Sequence, residues 1–447
     1  VLALPEPEVH TLGPAAEAWY VRVPQVRKVA VEIVLQRGMV ELAGHPTEAL
    51  RALGSMAEVA GGELDAAEMS EQRDLYDIEL DTSLGLHVGR VSLRVPAEDF
   101  ARGIDMQAAV LREATFPKKE LARYLSDQEL FYTVSGPSSQ SSVARSAMAY
   151  TWFPADHPYG RRPDPAALSK VKGKGLLEEY AAWRAGAPIV AVVVGDVAWS
   201  DVESHVKALV DGLGSPGEAA PELPFEPPAT SAIVAVEMPG QTQVAVRLRL
   251  AAPRQGDPDR AAYEAASWVL GGHFLSRLNT VLREEKGYTY GADASYQNGA
   301  TWGMFTVAVD VRGENLLDTL RTIDAELAAM AEQGPDEAEM VMARRSLAAD
   351  WNDLFLTADT ATRLYLDVLD ERSTVAAHRA RIQAIEEMSP ADVQRAAATW
   401  FGRSAARTLV VVGDRGAMTE AVTSLGLPVT WTDPSSAILG TFGPPEG

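Results

Sequence analysis

The sequence predicts an α+β chain of two homologous halves, each a mainly antiparallel sheet covered by helices. Three observations lead there. Several short motifs recur in the same order. A hairpin pattern followed by a long amphipathic helix occupies the second half. A comparable order of strands and helix occupies the first.

The recurrence comes first. "AVVVGD" places Gly195 and Asp196 after a valine run, and "LVVVGD" places Gly413 and Asp414 after another, 218 residues later. Trp183 in "AAWRAG" precedes the first and Trp400 in "ATWFGR" the second. Pro117 and Pro335 are again 218 apart, and "VPAEDF" at 95–100 matches "VRGENL" at 311–316. Four correspondences in one order predict a duplicated unit. The domains expected are 1–211 and 231–447. Residues 212–230, "GLGSPGEAAPELPFEPPAT", are rich in Pro and Gly and read as a linker. The tail "TDPSSAILGTFGPPEG" reads as an arm over the surface or a loose end.

The elements follow from periodicity. Tyr288, Tyr290, Ala292, Ala294 and Tyr296 alternate with Thr289, Gly291, Asp293, Ser295 and Gln297, the period of a strand with one apolar face. Asn298-Gly299 marks a turn. Phe305, Val307, Val309 and Val311 return as the next strand. Leu316, Leu317, Leu320, Ile323 and Leu327 then share one face of a helix over 314–333. The first half is expected to place strands at Leu75–Leu80 and Val91–Val95 and a helix from about Glu98. "YTVSGPSSQSS", residues 132–142, reads as a small-polar loop.

Composition narrows the function. The chain has 447 residues, room for two domains, with an ordinary soluble balance of 47% hydrophobic and 23% charged residues. Its net charge of −22 argues against binding a phosphate backbone, so no nucleic-acid partner is expected. The apolar runs are strand-sized, so no transmembrane segment is expected. There is no cysteine, which excludes disulfides and thiolate-bound metals. The first residue is Val1, and a removed upstream segment, with a bacterial periplasmic setting ahead of a cytoplasmic one, is the expectation.

The motifs that usually carry hydrolysis are missing. Seven histidines, at 10, 45, 87, 157, 205, 273 and 378, include no HExxH or HxxEH spacing. His45-Pro46-Thr47-Glu48-Ala49 starts like HxxEH but ends on alanine, so His45 is read as a surface or capping residue. No Walker loop or GxSxG occurs, and Gly271-Gly272 alone is a weak signal. What remains is "LREEKGYTYGADASY", residues 282–296. A helix over 273–286 is expected to end at Gly287, which tolerates a left-handed cap. Arg283 and Tyr290 then stand on either side of that helix end, two donors able to hold a peptide carbonyl or an oxyanion. A surface arginine and a core tyrosine fit the same pattern.

"LGGHFLSRLNTVLREEKGYTYGADASY" resembles the second-domain signature of the M16 zinc peptidases, the pitrilysin, insulinase and mitochondrial processing peptidase family. "FPADHPYGRRPDPAALSKV", residues 153–171, resembles the segment after the zinc region of their first domain, and the likeness runs in order over nearly the whole chain. The resemblance implies two tandem halves of the LuxS/MPP-like kind that enclose peptide. It implies zinc held by HxxEH and a later Glu in one half. From the other half it implies an Arg and a Tyr that contact substrate, positions matched by Arg283 and Tyr290. Glu129 falls near the third zinc ligand, but the two histidines are missing, and the zinc helix is read as deleted. The chain then looks like the non-metal member of a two-chain bacterial peptidase, binding no cofactor itself, with zinc on an HxxEH partner. A non-catalytic peptide-binding or scaffold protein of the same family is the alternative. An independent peptidase with a relocated metal site has no histidine cluster to support it.

Overall fold

The two repeated valine runs become interior strands. In the computed structural model, which describes residues 5–217, 223–353, 355–402 and 404–443, they lie in two six-stranded sheets. The first sheet has the order β1-β2-β6-β3-β5-β4. Its strands are β1 (Glu8–Gly13), β2 (Ala16–Arg22), β3 (Lys28–Leu35), β4 (Glu79–Leu84), β5 (Gly89–Pro96) and β6 (Ile189–Gly195). The second has the order β12-β7-β11-β8-β10-β9. It is built from β7 (Ala232–Glu237), β8 (Gln243–Ala251), β9 (Ala292–Asn298), β10 (Gly303–Arg312), β11 (Arg407–Gly413) and β12 (Val429–Thr432). Apart from the edge strands, β1 antiparallel and β12 parallel to its neighbour, the orders correspond, β6 with β11 and β3 with β8. Each valine strand runs parallel to one neighbour and antiparallel to the other. The sheets are thus mixed, with antiparallel pairs in the majority, and the fold class is α+β as expected.

The repeated Gly-Asp has a mechanical reason. A Cβ on Gly195 would stand 3.1 Å from Val29, and one on Gly413 3.0 Å from Val244. The next residue then turns back to the neighbouring hairpin. Asp196 accepts the Gln25 backbone N–H at 2.9 Å, and Asp414 accepts that of Gly240 at 3.1 Å. Gln25 and Gly240 both have positive φ, 70° and 78°, so the same turn is pinned twice.

Every residue of β6 is buried, so both faces of the first sheet need cover. One face packs on helices of the first half, through residues such as Phe100, Ile104, Val110, Leu176 and Trp183. The other face, with Ala30, Val34, Val190, Val192 and Val194, packs on Ala361, Leu364, Tyr365 and Val368. Those four belong to the helix Ala358–Asp370, from the second half of the sequence. The second sheet is treated alike. One face packs on helices that follow its own strands, and the helix Gln140–Trp152 lies against β7, β8 and β11 on the other. Gln140 anchors it by donating to the carbonyls of Gln243 and Val412.

The compact units therefore differ from the halves 1–211 and 231–447. One unit joins Val1–Glu129, Pro163–Pro221 and Ala349–Ala377; the other joins Leu130–Arg162, Glu222–Ala348 and His378–Gly447. The expected loop at 132–142 is helical instead, a π-helical turn over Phe131–Ser135 leading toward Gln140–Trp152. The strand expected at Leu75–Leu80 divides differently: Leu75 ends the helix Ala66–Leu75 and β4 starts at Glu79. An Asp65–Glu68 capping box holds that helix, a local signal stronger than the short apolar run. The linker's described residues are irregular, but Phe225 packs on Phe153 with ring centroids 4.8 Å apart. The tail's described residues, 432–443, leave β12 at Thr432 and form the helix Pro434–Leu439, with Ala437 and Ile438 buried, and 444–447 lie outside the described residues.

The helix Ala358–Asp370 is also held by charge. Arg94 on β5 pairs with the buried Glu32 of β3 at 3.4 Å and with Asp359 of the helix, and Arg90 pairs with Asp370. Arg372 reaches Glu41 at 2.6 Å. Burial pushes the Glu32 carboxyl above its usual range, opposed by Ser92 and Arg94. Its folded-state pKa is raised, so proton uptake favours the folded form as pH falls. Arg94→Ala should therefore cost about 3–5 kcal/mol at neutral pH by stranding Glu32, and urea denaturation should show part of that loss recovered on acidification. The opposite sign holds for Asp414, whose carboxyl is lowered by the backbone N–H groups of Gly240 and Gly416. Asp414→Asn should lower the thermal midpoint at neutral pH, with the gap to the parent closing as acid protonates the carboxylate.

Candidate functional site

The segment from 260 to 298 builds the site. The helix Arg260–Ser267 runs into a π-helical turn, Trp268–Gly272. A Cβ on Gly271 would meet that of Ala294 at 2.4 Å, so the Gly271-Gly272 pair lets this turn lie against β9. The chain reverses and re-enters helix at Arg277–Asn279, continued by a second π-helical turn, Thr280–Glu285. The helix expected over 273–286 is shorter at its start, because His273–Ser276 is spent on the reversal. Gly287 follows with φ 65°, the left-handed stop that was expected.

Two residues hold this segment that sequence reasoning did not single out. Buried Asn279 accepts the Ala292 N–H at 2.9 Å and donates to the Ala292 carbonyl at 2.9 Å, so it brackets the start of β9. Arg277 donates to both oxygens of Glu339 and to the Gly334 carbonyl. An Asn between helix and strand has no sequence signature, since its partner is backbone.

Tyr290 lies outside the strand. β9 begins at Ala292, and Thr289 closes a small turn by donating to the Gly291 carbonyl at 2.8 Å and accepting its N–H at 3.2 Å. Tyr290 stands within that turn, 92% exposed. It is not a core tyrosine, so the packing alternative for this residue is overturned. It lines a cavity of about 210 Å³ with Gln243, Arg247, Thr289 and Asp310. Arg283 goes elsewhere. Its guanidinium lies 3.9 Å over the ring of Phe274 and its Nη1 3.1 Å from Glu284. Phe274 is itself 64% exposed. Among the described residues, no hydrogen bond, ion pair or cavity joins Arg283 to Tyr290.

The cation that shares the Tyr290 cavity is Arg247. It sits on β8, opposite Ala308 of β10, which is opposite Asp293 of β9, all on one sheet face. Its Nη1 donates to the Val246 carbonyl at 2.8 Å and to Asp310 at 3.1 Å. Burial pushes the Asp293 carboxyl up, and Arg247 opposes the shift. Two residues along β8, Arg249 donates to Thr306 at 3.0 Å and lies under Trp152. Burial lowers its pKa to about 10. A second cavity, of about 450 Å³, is lined by residues including His273, Leu275, Arg277, Glu326 and Met342.

The residues expected near a zinc site in the first unit have other partners or stand exposed. Among the described residues, no three of His, Asp or Glu gather as a metal would need. His45 pairs with Glu179, a structural role. Glu48 is buried, accepts the Asp164 N–H at 3.0 Å and pairs with Arg51 at 3.2 Å. Glu129 is exposed near the end of its helix. His378, packed with Arg381, is lowered to about 4 by burial and by Arg381 and Arg260. The zinc helix read as deleted is corrected by the topology. The helix Thr47–Met56 follows β3 as Arg260–Ser267 follows β8, and each precedes a second helix and the next strand. The helix is present; what it lacks is the histidine pair. These residues do not fit a catalytic zinc.

Residues 173–347 match the family profile described as "Peptidase M16 inactive domain". No curated protein matches the chain in sequence. Among solved structures, the peptidase M16 inactive domain from Pseudomonas fluorescens is 20% identical, with TM-score 0.78, over 91% of this chain and 98% of that one. A protease from Helicobacter pylori is 17% identical, with TM-score 0.77, over 91% and 99%. The periplasmic protease PqqL from Escherichia coli is 13% identical, with TM-score 0.74, over 92% of this chain and 46% of its own. An M16-like fold thus spans nearly the whole chain, and its segment 173–347 is similar in sequence to the peptidase M16 inactive domain.

Proposed function

We propose that this chain is the non-metal subunit of a heteromeric M16 zinc peptidase. It would form half of a peptide-enclosing chamber, and an HxxEH-bearing partner would hold the zinc and the general base. The observation that carries the reading is Tyr290: an inactive-domain chain with no metal cluster among its described residues keeps a phenol turned out to solvent at the edge of a cavity. A phenol with no packing role is free to donate to a peptide carbonyl. Arg283 would join it when peptide binds, leaving its stacked place over the exposed Phe274 ring. Hydroxyl and guanidinium would then orient the scissile carbonyl and stabilise the oxyanion that forms.

A second reading, a peptide-binding or scaffold protein with no hydrolysis in any complex, draws support from the same stacking. Arg283 is already engaged by Phe274 and shares no cavity with Tyr290. The two readings part on one preparation. The chain is purified under native conditions from its source, and whatever accompanies it is identified and assayed. A similar-sized HxxEH chain, with zinc and peptidase activity in the complex alone, supports the subunit. A solitary, inactive chain supports the scaffold.

Within such a complex, Tyr290→Phe or Arg283→Ala should lower turnover by tenfold or more, the scale of a lost oxyanion donor. Tyr290→Phe should leave the thermal midpoint of the chain unchanged, since the exposed hydroxyl packs on nothing. Full turnover in an intact complex would remove both residues from the chemistry.

A further inference from the structure

The two sheets can be compared residue by residue, because β2, β6, β3, β5 and β4 of one have their counterparts in β7, β11, β8, β10 and β9 of the other. Glu32 lies opposite Val192 of β6 and Ser92 of β5. Arg247 lies opposite Val410 of β11 and Ala308 of β10. Val192 and Val410 hold the same place in the repeated "VVVGD". Glu32 and Arg247 therefore occupy equivalent positions, and by the same pairing Arg94 is equivalent to Asp310. Each sheet thus carries one acid–base pair at this point, with the charges reversed.

The pairs meet different fates. In the first unit the pair is sealed: Glu32 is 1% exposed, and the Arg94 guanidinium reaches out to Asp359 on the covering helix. In the second unit the pair is open. The covering helix Gln140–Trp152 lies over β7, β11 and β8, while Asp310 is exposed and Arg247 borders the cavity next to Tyr290. Arg247 spends Nη1 on Val246 and Asp310; among the described residues its Nε and Nη2 donate to nothing. That free edge is the side-on pair of donors with which a guanidinium grips an oxygen acceptor.

We propose that the Tyr290 cavity is a binding site for a neutral amide group of a polypeptide, with Arg247 as the residue that grips its carbonyl oxygen and Asp310 as the acceptor for its N–H. The chemistry of the lining selects this ligand. The lining mixes donors, Arg247, Gln243 and the Tyr290 hydroxyl, with the carboxylate of Asp310 beside Arg247, and Asp293 lies nearby on the same sheet face. An amide presents one acceptor and one donor and satisfies both. A carboxylate would face Asp310 and Asp293, and an ammonium would face Arg247. The volume, about 210 Å³, suits a single peptide group or a small side chain. The proposal deepens the reading of this chain as a peptide-holding subunit and rests on its peptide-binding part, but on neither zinc nor turnover.

The test uses the intact chain alone. It is immobilised and offered a randomised pool of short peptides, acetylated and amidated and without ionisable side chains, mixed with the same pool bearing free C-terminal carboxylates. Retained members are quantified by mass spectrometry. The parent chain should retain neutral members, with no preference for the free acids. Arg247→Ala should lower retention at least tenfold. Arg247→Lys, which keeps the charge and loses the fork, should fail to restore it, an outcome that a merely structural ion pair to Asp310 would not produce. Retention of neutral peptides unchanged in Arg247→Ala would overturn the proposal, as would preference for the free acids or no retention by the parent. Failure to find a zinc-bearing partner would sink the subunit reading and leave this one standing.

Discussion

The constraint behind the whole structure is that each sheet has a central strand apolar on both faces. A strand such as β6, buried along its entire length, cannot face water on either side. A hairpin-and-helix unit supplies helices to one face only. The other face takes its cover from elsewhere in the chain, and here it comes from the opposite half of the sequence: Ala358–Asp370 for the first sheet, Gln140–Trp152 for the second half's sheet from the first half. The duplicated sequence thus folds into units that are not the duplicated segments. Each half is left without one layer unless the other is present, and this ties the two halves into one folding problem.

That cover seals the charged pair near the centre of one sheet and leaves the equivalent pair of the other beside a cavity. Where the helix seals the first sheet, a charged residue at the centre is tolerated only because arginine and serine surround it. In the second sheet, β9 and β10 show polar residues, Asp293, Ser295, Thr306 and Asp310, on the face that the helix covers over β8 and β11. Equivalent backbone positions therefore carry a buried structural pair in one case and a pair at the edge of a cavity in the other. The loop that carries Tyr290 is fixed at this open edge by Asn279, whose side chain replaces a backbone partner at the start of β9.

The sequence by itself determined the duplication, the valine strands, the hairpin β9–β10 with its following helix, the glycine stop at 287 and the missing histidine pair. These are local: they rest on periodicity, on backbone conformations open to glycine, and on spacings within a single helix. Tertiary structure decided the rest. Tyr290 fits the alternation of a strand on paper, yet the Thr289 turn and the Asn279 bracket delay the strand to Ala292 and turn the phenol to solvent. Residues 132–142 look like a loop because they are small and polar, yet helix forms beyond Ser139 because Val143, Ala144 and Ala147 have a sheet to bury against. The arginine beside Tyr290 in space is Arg247, not the Arg283 that precedes it in the chain, because cross-strand neighbours are set by register between β8, β10 and β9. No spacing in the sequence records that register, and so it emerges only once the sheet is assembled.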